Sequence, residues 1–243
     1  MKKVVLNYLS IAVVSVSALF MSCSNEKVQL LESITYGDGS FEKYEYDKEN
    51  RITKTSQYDK EGILAFSKTV SYSGSDFIKV VMGTGISLDY AAIFEFSKNG
   101  NKITITFSND NDDVETVTID LDKDGFPTKY ESMNDSTSSV GSFEVHDGNL
   151  TKHSYKIQDG ETLLEGISEY KYDNQKSPLY HCKTPKWWWI ISDGRSTQNN
   201  VIEIFDNHGK KVEYKYEFDK AGYPTKCTAK GNNGEHISMF KYK

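Results

Sequence analysis

Hydrophobic and polar residues alternate along most of the chain after position 30. Runs such as Ile103-Thr-Ile105-Thr-Phe107 and Val117-Thr-Ile119-Asp-Leu121 carry apolar side chains at every second position. A period of two places one apolar row on one face of a β-strand. No segment after Cys23 shows a convincing helical period, so the pattern predicts an all-β protein.

The alternating runs belong to a repeated unit. It reads aromatic-x-aromatic-Asp, two or three polar residues, a Gly or Asn, and then a return strand. An Asp side chain caps a tight turn and Gly or Asn supplies a positive φ angle, so each copy predicts one β-hairpin. The turns recur about every 25 residues, which is two strands and two turns. Copies begin at Tyr44, Phe94, Ile119, Phe143, Tyr170 and Tyr216.

Consecutive hairpins predict a long antiparallel meander of roughly 14 strands, and an open sheet of that size curls strongly. The meander has one apolar face that must be covered. We expect a single strongly curved or rolled sheet. A closed barrel and a two-layer sandwich remain as alternatives.

The N-terminus has the pattern of a signal peptide. Lys2 and Lys3 precede a mostly apolar stretch at residues 4–20, which contains several Ser residues. A transmembrane helix needs about 20 consecutive apolar residues. This stretch is shorter and is followed directly by polar chain, so we interpret it as a removable signal.

The end of this stretch, Leu19-Phe20-Met21-Ser22-Cys23, resembles the bacterial lipobox. The resemblance implies that residues 1–22 are removed and that Cys23 carries a diacylglycerol and a third acyl chain such as palmitate. Two or more chains anchor a protein stably in a membrane. The alternative is an ordinary secretory signal with a chance cysteine. Residues 23–30 then form a tether and residues 31–243 the β domain.

The residues that follow Cys23 bear on which membrane the lipoprotein reaches. Ser24, rather than Asp, follows Cys23. By resemblance to Gram-negative sorting rules, this favours the outer membrane. Bacteroidetes surface lipoproteins carry an acidic cluster here and this chain has only Glu26, so the periplasmic and surface faces both stay open.

The Tyr-x-Tyr-Asp-x-x-Gly unit resembles the YD repeat of Rhs and teneurin-type surface proteins, whose strands form a hollow β-wrap. It is also similar to uncharacterised Bacteroidetes lipoprotein families with YD-like β-hairpin repeats. The resemblance spans most of residues 31–243 and implies a fold and a location, because those families have no assigned activity. The matching segments are residues 170–173, 177–179, 196–201 and 217–225.

The net negative charge argues against two kinds of partner. Removal of Lys2 and Lys3 leaves 27 basic and 35 acidic residues, a net charge of −8. The sequence has no stripe rich in Lys or Arg. This argues against nucleic acid as a partner and against electrostatic adhesion to anionic lipid.

Two cysteines remain besides Cys23. Cys182 and Cys227 would reside in an oxidising compartment, where a disulfide is allowed. Sequence separation says nothing about their distance in space. They form either a bridge or two separate buried thiols.

The segment Trp187-Trp188-Trp189 is the most unusual in the chain. Strand alternation would place Trp187 and Trp189 on one face and Trp188 on the other. We expect two of them to plug the open end of the sheet and one to pack under a loop. Two alternatives are a ligand or partner surface and a membrane-dipping loop, since Trp suits both.

Other candidate sites are weaker. The acidic run at residues 109–115 lacks the Gly and the distal Glu of an EF-hand and is expected to be a solvated hairpin turn. The histidines have no zinc spacing and no nucleophile context, so no metal and no cofactor is expected. Asp135-Ser136-Thr137 resembles the Bacteroidetes periplasmic O-glycosylation motif, which would place a glycan on Ser136. The histidines are His146, His153, His181, His208 and His236.

Two functional hypotheses follow. The favoured one is a non-enzymatic binding or structural lipoprotein of the cell envelope that presents its β surface to a glycan, an envelope protein or a peptide. The rival is a hydrolase of glycans or peptides with catalytic carboxylates on turns, since glycoside hydrolysis needs two correctly spaced carboxylates. Turn chemistry already explains the Asp positions. Two buried carboxylates facing each other across a cleft would favour the rival.

Overall fold

The computed structural model describes residues 28–85, 92–108, 114–134, 137–194, 197–232 and 234–243. Within these ranges the chain forms sixteen β-strands and one short helix. The strands are β1 (Leu31–Tyr36), β2 (Phe41–Tyr46), β3 (Ile52–Tyr58), β4 (Leu64–Ser73), β5 (Asp76–Thr84), β6 (Ala92–Asn99), β7 (Lys102–Ser108), β8 (Val114–Leu121), β9 (Pro127–Met133), β10 (Thr137–His146), β11 (Asn149–Asp159), β12 (Thr162–Lys176), β13 (Asn199–Asp206), β14 (Lys211–Phe218), β15 (Pro224–Gly231) and β16 (Gly234–Tyr242); the helix is α1 (Lys186–Asp193).

The sixteen strands form one closed antiparallel barrel. Each strand pairs with its neighbour in sequence, and β1 pairs with β16. Leu30 N donates to Lys243 O at 3.1 Å and Lys243 N donates to Leu30 O at 2.9 Å, so the pairing extends to the chain ends. The predicted all-β meander is confirmed, and its closed-barrel alternative is the correct one. The preferred single strongly curved or rolled sheet is only partly correct, because the sheet goes on to close, and the pairing of β1 with β16 removes the two edges that it would otherwise expose.

The turns have the predicted chemistry. At the β14–β15 turn, Asp219 Oδ1 accepts hydrogen bonds from Ala221 N at 2.8 Å and Tyr223 N at 2.9 Å. Gly222 has a φ of 82° and donates its N–H to Asp219 O. The side chain of Asp therefore organises the turn while Gly adopts the left-handed conformation. Asp47, Asp122 and Asp206 make the same pair of side-chain contacts with the backbone.

Five tyrosines near the ends of β2, β4, β12, β14 and β16 join neighbouring hairpins. They point into the barrel, and each hydroxyl donates to a backbone carbonyl on the preceding strand. Each acceptor residue lies where the strand register shifts. Such a shift disturbs the regular ladder, so the tyrosine supplies a partner there. The pairs are Tyr46 with Leu31 (2.9 Å), Tyr72 with Ile52 (2.8 Å), Tyr172 with Leu150 (2.7 Å), Tyr216 with Val201 (3.0 Å) and Tyr242 with Pro224 (2.8 Å).

The buried inward side chains of the barrel wall are mainly apolar, and the outer face carries many charges. Val80, Ile119 and Leu150 are among the inward side chains that are fully buried. Outward positions of adjacent strands carry ion pairs between Lys and Asp or Glu. These include Lys79–Glu95, Lys102–Asp120, Lys171–Glu203, Lys226–Glu217 and Lys241–Glu32, with N–O distances from 2.7 to 3.7 Å.

The two ends of the barrel differ. Because sixteen antiparallel strands alternate in direction, the start of β1 and the end of β16 lie at the same end of the barrel, which we call the tether end. The β2–β3 and β14–β15 turns lie at the same end. The long connection between β12 and β13, at residues 177–198, lies there too. The opposite end carries the β1–β2 and β13–β14 turns.

Two glycines leave room for tyrosine rings on the inner face of the barrel. Gly141 on β10 pairs with Tyr130, and Gly166 on β12 pairs with Tyr155. A Cβ atom at Gly141 would lie 2.1 Å from Tyr130 Cε1, and one at Gly166 would lie 2.6 Å from Tyr155 Oη. The tyrosine rings therefore lie across the neighbouring glycines and occupy the space that a side chain would take.

We expect Gly141→Ala to lower the free energy of unfolding by about 1–3 kcal/mol, because the new methyl group would lie 2.1 Å from Tyr130 Cε1 and 2.7 Å from Ser154 O, so both must move. Urea denaturation measures this. Ser142→Ala on the outer face of the same strand is the matched control and should change stability by less than about 0.5 kcal/mol. Combining Gly141→Ala with Tyr130→Leu should cost less than the sum of the two single changes. Additive costs would contradict the proposed clash.

Candidate ligand cavity in the barrel lumen

The connection at residues 177–198 enters the barrel at the tether end and forms a plug. Its centre is α1, which begins after Pro185 and ends at Gly194. Gly194 has a φ of 59° and donates its N–H to Ile190 O at 3.1 Å, a left-handed C-terminal cap. The prediction that no helix follows Cys23 is wrong here. Pro before and Gly after an apolar run were the available signals.

The helix turns all three tryptophans into the protein. Trp187, Trp188 and Trp189 are 5%, 9% and 4% exposed. The predicted alternation of their faces is wrong, because it assumed a strand. Trp188 packs against Phe77 on β5 and Phe96 on β6, with ring centroids 5.1 and 5.7 Å apart. The tryptophans thus fill one side of the lumen instead of forming an exposed surface.

Thr184 connects the plug to the barrel wall. Its Oγ1 accepts a hydrogen bond from Ile52 N at 2.9 Å and lies 3.2 Å from the hydroxyl of Tyr72. Next to it, Lys183 N donates to Asn50 O at 2.9 Å. Thr184 is 2% exposed. These bonds hold the start of the plug against the β2–β3 turn and the inner face of β4.

We expect Thr184→Val to destabilise the plug by about 1–3 kcal/mol, because the buried Ile52 N–H loses its acceptor. The three tryptophans of the chain all lie in the plug, so tryptophan fluorescence in increasing urea reports its detachment. Thr184→Ser keeps the hydroxyl and should behave nearly as the wild type. Equal midpoints for the Val and Ser variants would contradict this role.

The plug leaves a cavity on the other side of the lumen, which we call the slot. It has a volume of about 390 Å³ and lies between the plug and the inner faces of β1 and β13–β16. Its walls are mainly aliphatic and aromatic, and no Asp, Glu, Lys, Arg or His belongs to the described residues that line it. Representative lining residues are Leu31, Ile34, Leu179, Ile204, Tyr214 and Phe240.

Most polar groups of the slot bond within the protein. The hydroxyl of Tyr216 donates to Val201 O at 3.0 Å. Asn200 Nδ2 donates to Asp173 Oδ2 at 3.0 Å, and Ser177 Oγ donates to Thr197 O at 2.8 Å. Asn200 Oδ1 is buried without a partner. The slot therefore offers few polar groups to a ligand.

Two further cavities flank the plug. A wider groove of about 550 Å³ lies at the tether end, with Phe77 and Trp187 among its apolar walls and Asp76 and Lys98 among its charged ones. A small cavity of about 60 Å³ lies between the plug and β2–β4. Glu42 lines it and accepts a hydrogen bond from the hydroxyl of Tyr36 at 3.3 Å.

Cys182 and Cys227 are both free and buried, so the disulfide alternative is wrong. Cys182 belongs to the plug and contributes to the groove at the tether end, whereas Cys227 lies on β15 and lines the slot. The plug separates the two thiols because it packs towards β3. Burial raises the pKa of both thiols.

His153 lies inside the barrel among aromatic rings. Its ring stacks on Phe143 with centroids 4.8 Å apart, and its Nε2 is buried without a hydrogen-bond partner. Burial lowers the pKa of His153 below the ordinary value of 6.5. A charged imidazolium would be poorly solvated there, so the folded barrel favours the neutral ring.

The lowered pKa of His153 predicts acid sensitivity. The unfolded chain binds a proton at this site more readily than the folded barrel does, so stability falls as the pH drops below about 6.5. We expect His153→Phe to lose less stability than the wild type between pH 8 and pH 5, measured by urea denaturation at both values. His146→Gln removes an exposed turn histidine and should retain the wild-type loss. An unchanged loss in His153→Phe would contradict the assignment.

The described residues give little support for a catalytic site or a metal-binding site. Glu42 is the only Asp or Glu among them that is buried, so the facing pair of buried carboxylates that the hydrolase hypothesis requires is not found there. No group of three His, Cys, Asp or Glu in the same part of the chain is arranged to hold a metal ion. No helix in that part is long and apolar enough to cross a bilayer.

Some predicted sites lie outside the described residues: Cys23, Ser136 and residues 109–113 of the acidic run. Glu115, the last residue of that run, accepts a hydrogen bond from Ser132 Oγ.

The solved structures that resemble this chain include two porin-like proteins that are distant from it in sequence. One is the crystal structure of a porin-like protein from Bacteroides uniformis, with 10% identity and a TM-score of 0.47, covering 88% of this chain and 96% of that one. The other is a porin-like protein from Bacteroides vulgatus, with 11% identity and a TM-score of 0.45, covering 88% of this chain and 99% of that one. No protein-family model and no curated protein matches the chain. No conclusion about activity follows from these values.

Proposed function

We propose that this chain is a lipid-anchored protein of the outer membrane. The outer wall of its barrel faces the aqueous phase, and the lumen binds a ligand without catalysis. The observation that carries the proposal is the polarity of the wall. A transmembrane barrel has an outward apolar band about 25 Å tall and a polar interior. Here most buried inward side chains are apolar, with Glu42 and Lys68 beside the small cavity as charged exceptions, and the outward positions carry charge.

The polarity is evident along single strands. On β14, Lys211, Glu213, Lys215 and Glu217 occupy the outward positions in succession. A Lys or Arg facing lipid costs about 2–4 kcal/mol at the bilayer midplane. A strand with four outward charges in a row therefore favours an aqueous environment.

Exposed apolar residues do not change this conclusion. On β12, Leu163 and Ile167 are 48% and 38% exposed. They alternate with Glu165 and Glu169 on the outward face. Charged residues thus interrupt the apolar positions along the strand, which supports a wall that faces water.

The anchor would place the barrel close to the membrane. Cys23 precedes Leu31, the first residue of β1, by eight positions. Eight extended residues span at most about 29 Å. A lipid on Cys23 would therefore keep the tether end, with its plug, towards the bilayer. This geometry is compatible with both the periplasmic and the surface face of the outer membrane. Binding of a glycan or an envelope protein by the outer wall stays a prediction.

The anchor and the water-facing wall are tested together. We expect the wild type to incorporate labelled palmitate and to fractionate with the outer membrane. A variant in which an ordinary cleavable secretory signal replaces residues 1–23 should lose the label and be purified from the periplasm as a folded protein without detergent. Far-UV circular dichroism checks the fold.

Cys182→Ala is the control and should keep both the label and the membrane location. If the variant with the secretory signal needs detergent to stay soluble, the water-facing wall is refuted. If the wild type takes up no palmitate, the anchor is refuted.

A further inference from the structure

We infer that the slot accepts one acyl chain, with the polar head of the molecule left outside the lumen. This inference rests on the proposed function, in which the lumen is the binding compartment, and it names the class of ligand. Charge, length and position in the barrel point to the same class.

The slot is suited to an uncharged, apolar ligand. No charged or imidazole side chain belongs to the described residues that line it. Its largest polar side chains are engaged with the protein, as with the Tyr216 hydroxyl on Val201 O. A sugar or peptide carries many donors and acceptors, and burying them here would leave them unpaired at a cost. An alkyl chain has none.

The slot is long enough for an alkyl chain. Leu31, Ile34 and Tyr36 on β1 all line it, so it follows that strand from its first residue to its last. Five residue steps along a strand correspond to about 16 Å. A cavity of about 390 Å³ with this length has room for a linear chain.

The slot also reaches the end of the barrel that faces the bilayer under the proposed function, where buried residues such as Leu31 and Leu179 cover it. Leu31 and Asn199, which line it, are the first residues of strands that start at the tether end. Pro178 and Gly194 of the plug line it as well. The acyl chains of membrane lipid would be the nearest apolar chains to this end. A free fatty acid offers the same chemistry from a second source.

Binding is tested on the anchor-free protein described above, which retains every strand of the barrel. The probe is cis-parinaric acid, a fluorescent fatty acid. We expect saturable binding of one probe per barrel. Ala229→Trp places an indole in the slot and should weaken binding by about tenfold or more, which is about 1.4 kcal/mol. Thr228→Trp, at the adjacent outward position of β15, should bind as the unsubstituted protein does.

A second measurement does not depend on the substitution. Without Cys23 the protein has two thiols, of which Cys227 lines the slot and Cys182 lines the groove at the tether end. Saturating cis-parinaric acid should slow the reaction of Cys227 with methyl methanethiosulfonate by about tenfold. The reaction of Cys182 should stay unchanged. Peptide mass spectrometry separates the two sites.

The source of the chain is tested by incubating the anchor-free protein with phosphatidylethanolamine vesicles or with palmitic acid, followed by native mass spectrometry. A bound phospholipid assigns the slot to membrane lipid, and bound palmitic acid alone assigns it to free fatty acid. Absence of both, together with full Cys227 reactivity in the presence of probe, overturns the inference. That result would not affect palmitate labelling or the solubility of the anchor-free barrel. The acyl-chain inference can therefore fail while the proposed anchored barrel stands.

Discussion

The pairing of β1 with β16 is the constraint on which the rest of the structure depends. The hydrogen bonds between Leu30 and Lys243 complete a ring of sixteen strands that has no free edge. Closure turns the two faces of a meander into an inside and an outside. The even number of antiparallel strands makes it possible, because it puts the start of β1 and the end of β16 at the same end of the barrel with opposite directions.

A ring of sixteen strands encloses more space than its own side chains can fill, and barrels of this size commonly hold a channel. This protein fills part of the space with the plug. Thr184 bonds to Ile52 on β3, and Trp188 packs against Phe77 on β5. Because these contacts draw the plug towards one side of the wall, the slot remains beside β13–β16. One asymmetric insertion thus accounts for both the buried tryptophans and the cavity.

The wall polarity and the position of the tether support one another. A mainly apolar lumen with a charged exterior is the arrangement of a barrel in water, and such a protein stays at a membrane only through an anchor. Cys23 lies eight residues before the first strand, at the plugged end. The slot follows β1 from the same end. An anchored barrel would therefore hold an acyl-sized cavity next to the source of acyl chains.

The strands and their turns can be predicted from the sequence, because both depend on residues close together in the chain. Alternation at Ile103 and Ile105 predicts a strand, and Asp219 with Gly222 predicts the turn that the structure contains. Closure, the docking of the plug inside the barrel, the slot and the separate thiols become visible only in the folded chain. These features depend on contacts between distant residues, such as Ile34 with Phe240 and Ile52 with Thr184. Backbone pairing leaves little trace in side-chain pattern, so no local period could reveal them.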